Sequence, residues 1–147
     1  MNNPNDIKQY IILRTDANTV TGEPVSAQKL AVMTAHASMA FLAVMVRKGM
    51  NDDGSVNMKL DDDTKSWLQG TFTKVLLKGK MKDIKKAINK CDEMGLVNGE
   101  DYFIIEDACY TELVPDEGRS GCIIGIGFRP MNAEVIRHIT KKFQLYT

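Results

Sequence analysis

The chain has 147 residues, enough for one domain with a real core, and its 44% hydrophobic content is that of an ordinary globular protein. Nineteen Lys and Arg balance nineteen Asp and Glu, so net charge excludes no class of partner and the distribution of charge has to decide. No run reads as the roughly 18 apolar residues a membrane span needs, and the polar start MNNPNDIK lacks the apolar region of a leader.

In chain order, IKQYIILR (7–14) is rich in β-branched and aromatic residues and reads as a strand. A polar loop with Gly22 and Pro24 follows. Ser26 is a natural N-cap for a helix from about Ala27 to Lys48, which GMNDDGSVN ends. Asp61 or Asp62 opens a short helix holding Trp67, and FTKVLLK (72–78) is a second strand. Residues 81–94 form an amphipathic helix with Ile84, Ala87, Ile88 and Cys91 on one face, closed by Gly95. DYFIIED (101–107) and GCIIGIG (121–127) are the third and fourth strands. Pro130 or Asn132 opens a last helix to about Lys142, and FQLY runs extended.

Helices after the first and second strands predict crossovers and a mainly parallel core. The direct connection from third to fourth strand predicts an antiparallel pairing. The expected fold is a single α/β domain over residues 1–147, with a small mixed sheet of about four strands and helices on both faces.

Charge is segregated along the chain. Seven lysines stand against one acid, Asp83, between Lys74 and Lys90, whereas nine acids and no Lys or Arg lie between Asp92 and Glu117. The lysine block reads either as a solvated helix face or as a phosphate-binding patch. Without interleaved aromatics to stack bases, a helical stem suits it better than an open strand.

Three segments carry polar groups worth weighing. KLAVMTAHASMAFLAV (29–44) is almost pure helix core, yet Lys29 and His36 are seven residues apart, close to two turns, and share a face. Lys29 sits unfavourably in the first turn, beside the positive end of the helix dipole. Taken alone, His36 reads as a hydrogen-bonded core histidine and Lys29 as a snorkelling surface residue. EDACYT (106–111) puts Asp107 at the carboxyl end of a strand, where ligand contacts gather in open α/β sheets. Alone it reads as a turn-forming aspartate. GIGFRP (125–130) holds two glycines of a dinucleotide fingerprint with Pro130 at the third position, and is rejected as a cofactor loop. The cysteines Cys91, Cys109 and Cys122 lack metal-ligand spacing and read as reduced thiols of a cytoplasmic protein.

Together these segments resemble the type 2 peptidyl-tRNA hydrolase family over nearly the whole chain. KLAVMTAHA corresponds to the family's lysine followed by VAAQxxHA, KVLLK (74–78) to its strand KVVVK, and DACYTELVPDEGRSGCIIGIGF to its DAGRTQ…PG…TVLGIGP. Lys29, His36, Asp107 and Thr111 fall on family positions. Met33, Cys109, Tyr110, Glu112 and Cys122 depart from them.

The resemblance implies metal-free, cofactor-free hydrolysis of the ester between a peptide and tRNA, in the cytoplasm. Asp107 would position or deprotonate water. Lys29 would stabilise the oxyanion or the terminal phosphate, Thr111 would hydrogen-bond beside Asp107, and His36 would orient Lys29 or bind substrate. Lys29 and Asp107 are expected to face each other across one cleft. Lys74, Lys78, Lys82, Lys85 and Lys86 would meet tRNA phosphates, and a homodimer is implied. The competing expectations are a binding module that keeps the fold without the chemistry, and a small-molecule ester hydrolase.

Overall fold

β1 (Ile7–Arg14) is the hub of the sheet, and its own sequence explains why. In the computed structural model, which describes residues 6–147, Ile11, Ile12 and Leu13 are all buried, so both faces of the strand are covered. Residues 1–5, part of the polar N-terminal stretch read above, lie outside the described residues. Ile12 packs with Ile84, Ala87 and Cys91 of α3 (Met81–Glu93) and with Ile136 and Ile139 of α4 (Ala133–Thr140). Its neighbours Ile11 and Leu13 pack with Met33 and Ala37 of α1 (Ala27–Gly49). Successive strand side chains point to opposite faces, so helices lie on both sides of the sheet.

The remaining elements are α2 (Asp62–Gln69), β2 (Lys74–Gly79), β3 (Tyr102–Asp107), β4 (Cys122–Phe128), β5 (Met131–Asn132) and β6 (Gln144–Leu145). The order in the sheet is β3-β4-β1-β2-β6, with β5 paired to β1. The sheet therefore has six strands where about four were expected. The additions are two-residue pairings, β5 just before α4 and β6 in the extended tail.

The expectation of a mainly parallel core is corrected: among the strands of the described residues only β1 and β2 pair in parallel, and the other strand pairings are antiparallel. The connection through α3 carries the chain past β1 to the far edge, and β4 then returns between β1 and β3. Because β1 and β3 both run against β4, they run the same way as each other and as β2. The carboxyl ends of these three strands, at Arg14, Gly79 and Asp107, therefore meet at one edge of the sheet.

α1 has a mean hydropathy of 1.6 over its most apolar window and is, by length and composition alone, able to cross a membrane. That corrects the reading that no run approaches such a length. In the fold it lays Met33, Ala37 and Phe41 against the sheet. Burying side chains of this size contributes roughly 1.5–3 kcal/mol each for Met33 and Phe41. Gln9, fully buried on β1, ties the helix down. Its amide donates to Ser38 O at 2.6 Å, and its carbonyl oxygen accepts from Ser38 Oγ at 2.7 Å. Gly127 of GIGF allows the close approach, since a β-carbon there would strike the Ala37 carbonyl. Of the glycines once weighed as a cofactor fingerprint, Gly127 thus serves helix–sheet packing, while a β-carbon at Gly125 would strike the Ile12 carbonyl of the neighbouring β1.

Candidate active site

The amino end of α1 is built by its cap. Ser26 Oγ accepts the Lys29 N–H at 3.2 Å, while the Glu112 carboxylate accepts both the Ser26 N–H at 2.6 Å and its hydroxyl at 2.8 Å. A carboxylate therefore stands at the positive end of the helix, offsetting the unfavourable placement of Lys29 in the first turn. The same contact clasps the loop after β3 onto the helix. Backbone bonds Val20 N→Glu112 O (2.8 Å) and Val114 N→Asn18 O (2.9 Å) hold that loop against residues 18–20.

Lys29 and Asp107 meet directly. Lys29 Nζ lies 2.6 Å from Asp107 Oδ1, with side chains 18% and 9% exposed. Asp107 Oδ2 accepts the Cys109 N–H at 2.9 Å. A β-carbon at Gly121 would come within 2.7 Å of Asp107 O, so glycine is what lets the start of β4 lie against the end of β3 here. A carboxylate fixed on both oxygens, beside an ammonium reached by solvent, can orient a water and stabilise negative charge developing on a neighbouring carbonyl.

The other candidates are distributed differently. Thr111 is exposed on the same loop, and the hydrogen bond recorded beside Asp107 comes from Cys109 instead. His36 is exposed and lines a depression with Ala43, Arg47, Ile105 and Glu106. The reading of His36 as a core histidine is therefore corrected. It stands about 10 Å along the helix axis from Lys29, at 1.5 Å per residue. Met33, where the family has glutamine, is only 4% exposed within the core beneath α1 and lines no cleft. Tyr110, in place of the family arginine, is 91% exposed beside Asp107.

Cys109 adopts φ +64 at a position where the family motif has glycine. Burial pushes its thiol pKa up, and the neighbouring Asp107 and Asp116 push the same way. It is a neutral thiol at physiological pH, which argues against a thiolate nucleophile.

The lysine block divides in space. Lys78 and Lys82 line one groove of about 470 Å³ together with Lys80, Lys142, Thr15 and Gln144. Lys86 lines an adjoining hollow of about 220 Å³ with Lys90, His138, Lys141 and Lys142. Lys85 is exposed but lines neither. Lys74 lies at the other end of β2, its ammonium 3.2 Å from the Phe72 ring centroid. The acidic block is less repulsive than its sequence implies. Glu93, Asp101, Glu106, Asp107 and Asp116 are each ion-paired to a Lys or Arg.

Sequence reasoning missed Arg14. It is 7% exposed at the end of β1 and donates to Asp116 Oδ1 (2.6 Å), Asp16 Oδ1 (2.9 Å) and Ile123 O (3.1 Å). Asp116 Oδ2 in turn accepts the Ile123 N–H at 2.7 Å. Burial alone would raise the Asp116 carboxyl, but the Arg14 hydrogen bond and the Ile123 N–H outweigh it and hold its pKa low. This clamp anchors the loop that flanks Asp107. Its sequence signal was an arginine directly after the apolar run Ile11, Ile12 and Leu13.

An open mixed sheet with a carboxylate and an ammonium paired at the carboxyl edge of its strands defines an α/β protein with a charged pair where ligand contacts gather in such folds. The chain belongs to the family described as peptidyl-tRNA hydrolase PTH2, whose model matches residues 7–146. The family is one of hydrolases acting on peptidyl-tRNA. Among solved structures, a protein of unknown function from Agrobacterium tumefaciens strain C58 is similar, with a TM-score of 0.52 and 13% identity, covering 97% of this chain and 98% of that one. At that identity the likeness shows the fold alone. No curated protein matches the chain.

Proposed function

We propose that the chain hydrolyses the ester joining a peptide to the terminal ribose of tRNA, in the cytoplasm and without a metal. The observation that carries this reading is the 2.6 Å contact of Lys29 with Asp107 at the carboxyl edge of the sheet. Asp107 orients the attacking water and draws its proton, and Lys29 neutralises the oxyanion of the tetrahedral intermediate. Thr111, one turn of loop away, hydrogen-bonds the substrate. His36, apart from the ion pair, contacts the substrate rather than orienting Lys29.

The grooves around Lys78, Lys82 and Lys86 take the phosphates, with Lys80, Lys141 and Lys142 added to the set. Three strand spacings separate β3 from β2, about 14 Å at about 4.8 Å each. At about 3.4 Å of rise per stacked nucleotide, that is roughly four nucleotides from the ester. The first phosphates of the acceptor stem then fall at the lysines.

The homodimer is supported by the outer side of α1. Val32 and Met39 are 45% and 63% exposed there. With Ala35, Leu42 and Val46 they follow the alternating three- and four-residue spacing of a helix–helix seam.

Single-turnover hydrolysis of an N-acetyl-aminoacyl-tRNA tests the site. Lys29→Met should slow the step about 10²–10³-fold, the usual cost of losing one oxyanion donor, and Asp107→Asn should do likewise. Both variants should keep the wild-type circular dichroism spectrum. Wild-type rates in both variants would refute the assignment. Salt-sensitive tRNA binding without hydrolysis would favour a binding module, and turnover of small esters alone a small-molecule hydrolase.

A further inference from the structure

β3 carries Asp107 at its end and is the terminal strand of the sheet, bonded to β4 on one side only. Its other edge is open along a trough floored by α1. Two hollows of about 380 Å³ each make up the trough and share Val44. One is lined by Ala43 and Ile105, the other by Phe103. Phe103 and Ile105 alternate with Tyr102 and Ile104, so the side chains facing the trough lead residue by residue to Asp107.

The chain already uses the start of this edge. Asn98 forms a parallel bridge with Tyr102, and Gly99 N–H donates to Tyr102 O at 2.8 Å. The backbone groups of Tyr102 therefore point outward, and by alternation so do those of Ile104. Beyond Ile104 the register with β4 shifts between Ile105 and Glu106, Ile124 of β4 being the extra residue, just before the strand ends at Asp107.

We infer that the open edge of β3 binds the peptide moiety of the substrate as an added parallel strand. The inference rests on the ester-hydrolysis reading of Lys29 and Asp107. The direction follows from the chemistry. The esterified carboxyl end of the peptide must lie at Asp107, so its amino end runs back toward Tyr102, along the direction of β3. Ile104 then offers one N–H and one C=O to the peptide backbone. Main-chain pairing ignores side-chain identity, and the shallow apolar floor accepts small and medium residues alike. An enzyme that meets peptides of any sequence needs this kind of recognition.

Two non-hydrolysable probes test it: 3′-amino-3′-deoxyadenosine acylated with N-acetyl-alanine, and the same nucleoside acylated with an N-acetylated pentapeptide of alternating Val and Ala. Two added main-chain bonds should make the longer probe bind about tenfold tighter. Amide exchange at Ile104 should slow only with the longer probe. Ala43→Phe, which fills the trough, should abolish the gain while leaving the short probe unaffected. Affinities equal within twofold, or a gain without protection at Ile104, would overturn the inference. If neither probe binds, the reading of the Lys29–Asp107 site falls and the inference with it; equal binding of both leaves that reading standing and removes the peptide edge alone.

Discussion

Asp116→Asn isolates what the Arg14 clamp contributes, because it removes a charge while keeping shape. In the wild type Asp116 accepts two short bonds, from the Arg14 guanidinium and from Ile123 N–H, with its side chain 17% exposed. Hydrogen bonds to charged groups are worth about 1.5–3 kcal/mol each, and the asparagine oxygen can keep one of them. Arg14 also retains Asp16 and the Ile123 carbonyl. The loss should therefore be about 2–3 kcal/mol, below the roughly 3–5 kcal/mol of a fully orphaned buried charge. The sign with pH follows from the low folded-state pKa of Asp116. Its stabilisation is fully present above the ordinary value of 3.8 and is lost as pH falls below it toward the folded value. Urea unfolding of both proteins at pH 7, 5, 4 and 3 gives the comparison. The gap should be constant from pH 7 to 5 and close below pH 4. A gap under 0.5 kcal/mol at pH 7 by this estimate, or one that does not shrink in acid, would refute the clamp.

Two further outcomes are expected. Lys82→Ala combined with Lys142→Ala should raise KM for an acylated tRNA with little change in kcat. It should also lower the slope of log affinity against log salt by about 1.4–1.8, the value for two lost phosphate contacts; an unchanged slope would remove the groove from the tRNA path. Val32→Glu, on the outer side of α1, should shift sedimentation from dimer to monomer without loss of helix content, whereas a wild-type protein that sediments as a monomer at all concentrations would dispose of the seam.

Helix boundaries were legible because their signals are local. Ser26 caps α1 through its own hydroxyl, and Gly95 closes α3 at φ +78, the left-handed conformation that favours glycine. Sheet order was not legible, since nothing in GCIIGIG says that it will slot between β1 and β3. His36 was misread because an apolar helix neighbourhood looks the same whether it faces the sheet or an open trough. Met33 shows the converse. On the sequence it sits between Lys29 and His36, yet a turn of about 40° relative to Lys29 suffices to carry it into the core. Arg14 was missed because its partner is 102 residues away. Lys29 and Asp107 were linked on the sequence by family resemblance, as no local rule joins a helix start to a distant strand end.

The clasp between Ser26 and Glu112 spans 86 residues and the Arg14–Asp116 bond spans 102. β4, the last long strand in the chain, lies between β1 and β3, so the strand ends that carry Arg14 and Asp107 are set side by side across it. A chain lacking it would keep the residues of both clasps but lose the strand that holds β3 in the sheet beside β1. The Lys29–Asp107 pair on this architecture is thus a long-range product of the sheet, set in its final frame only once the last third of the chain has joined it.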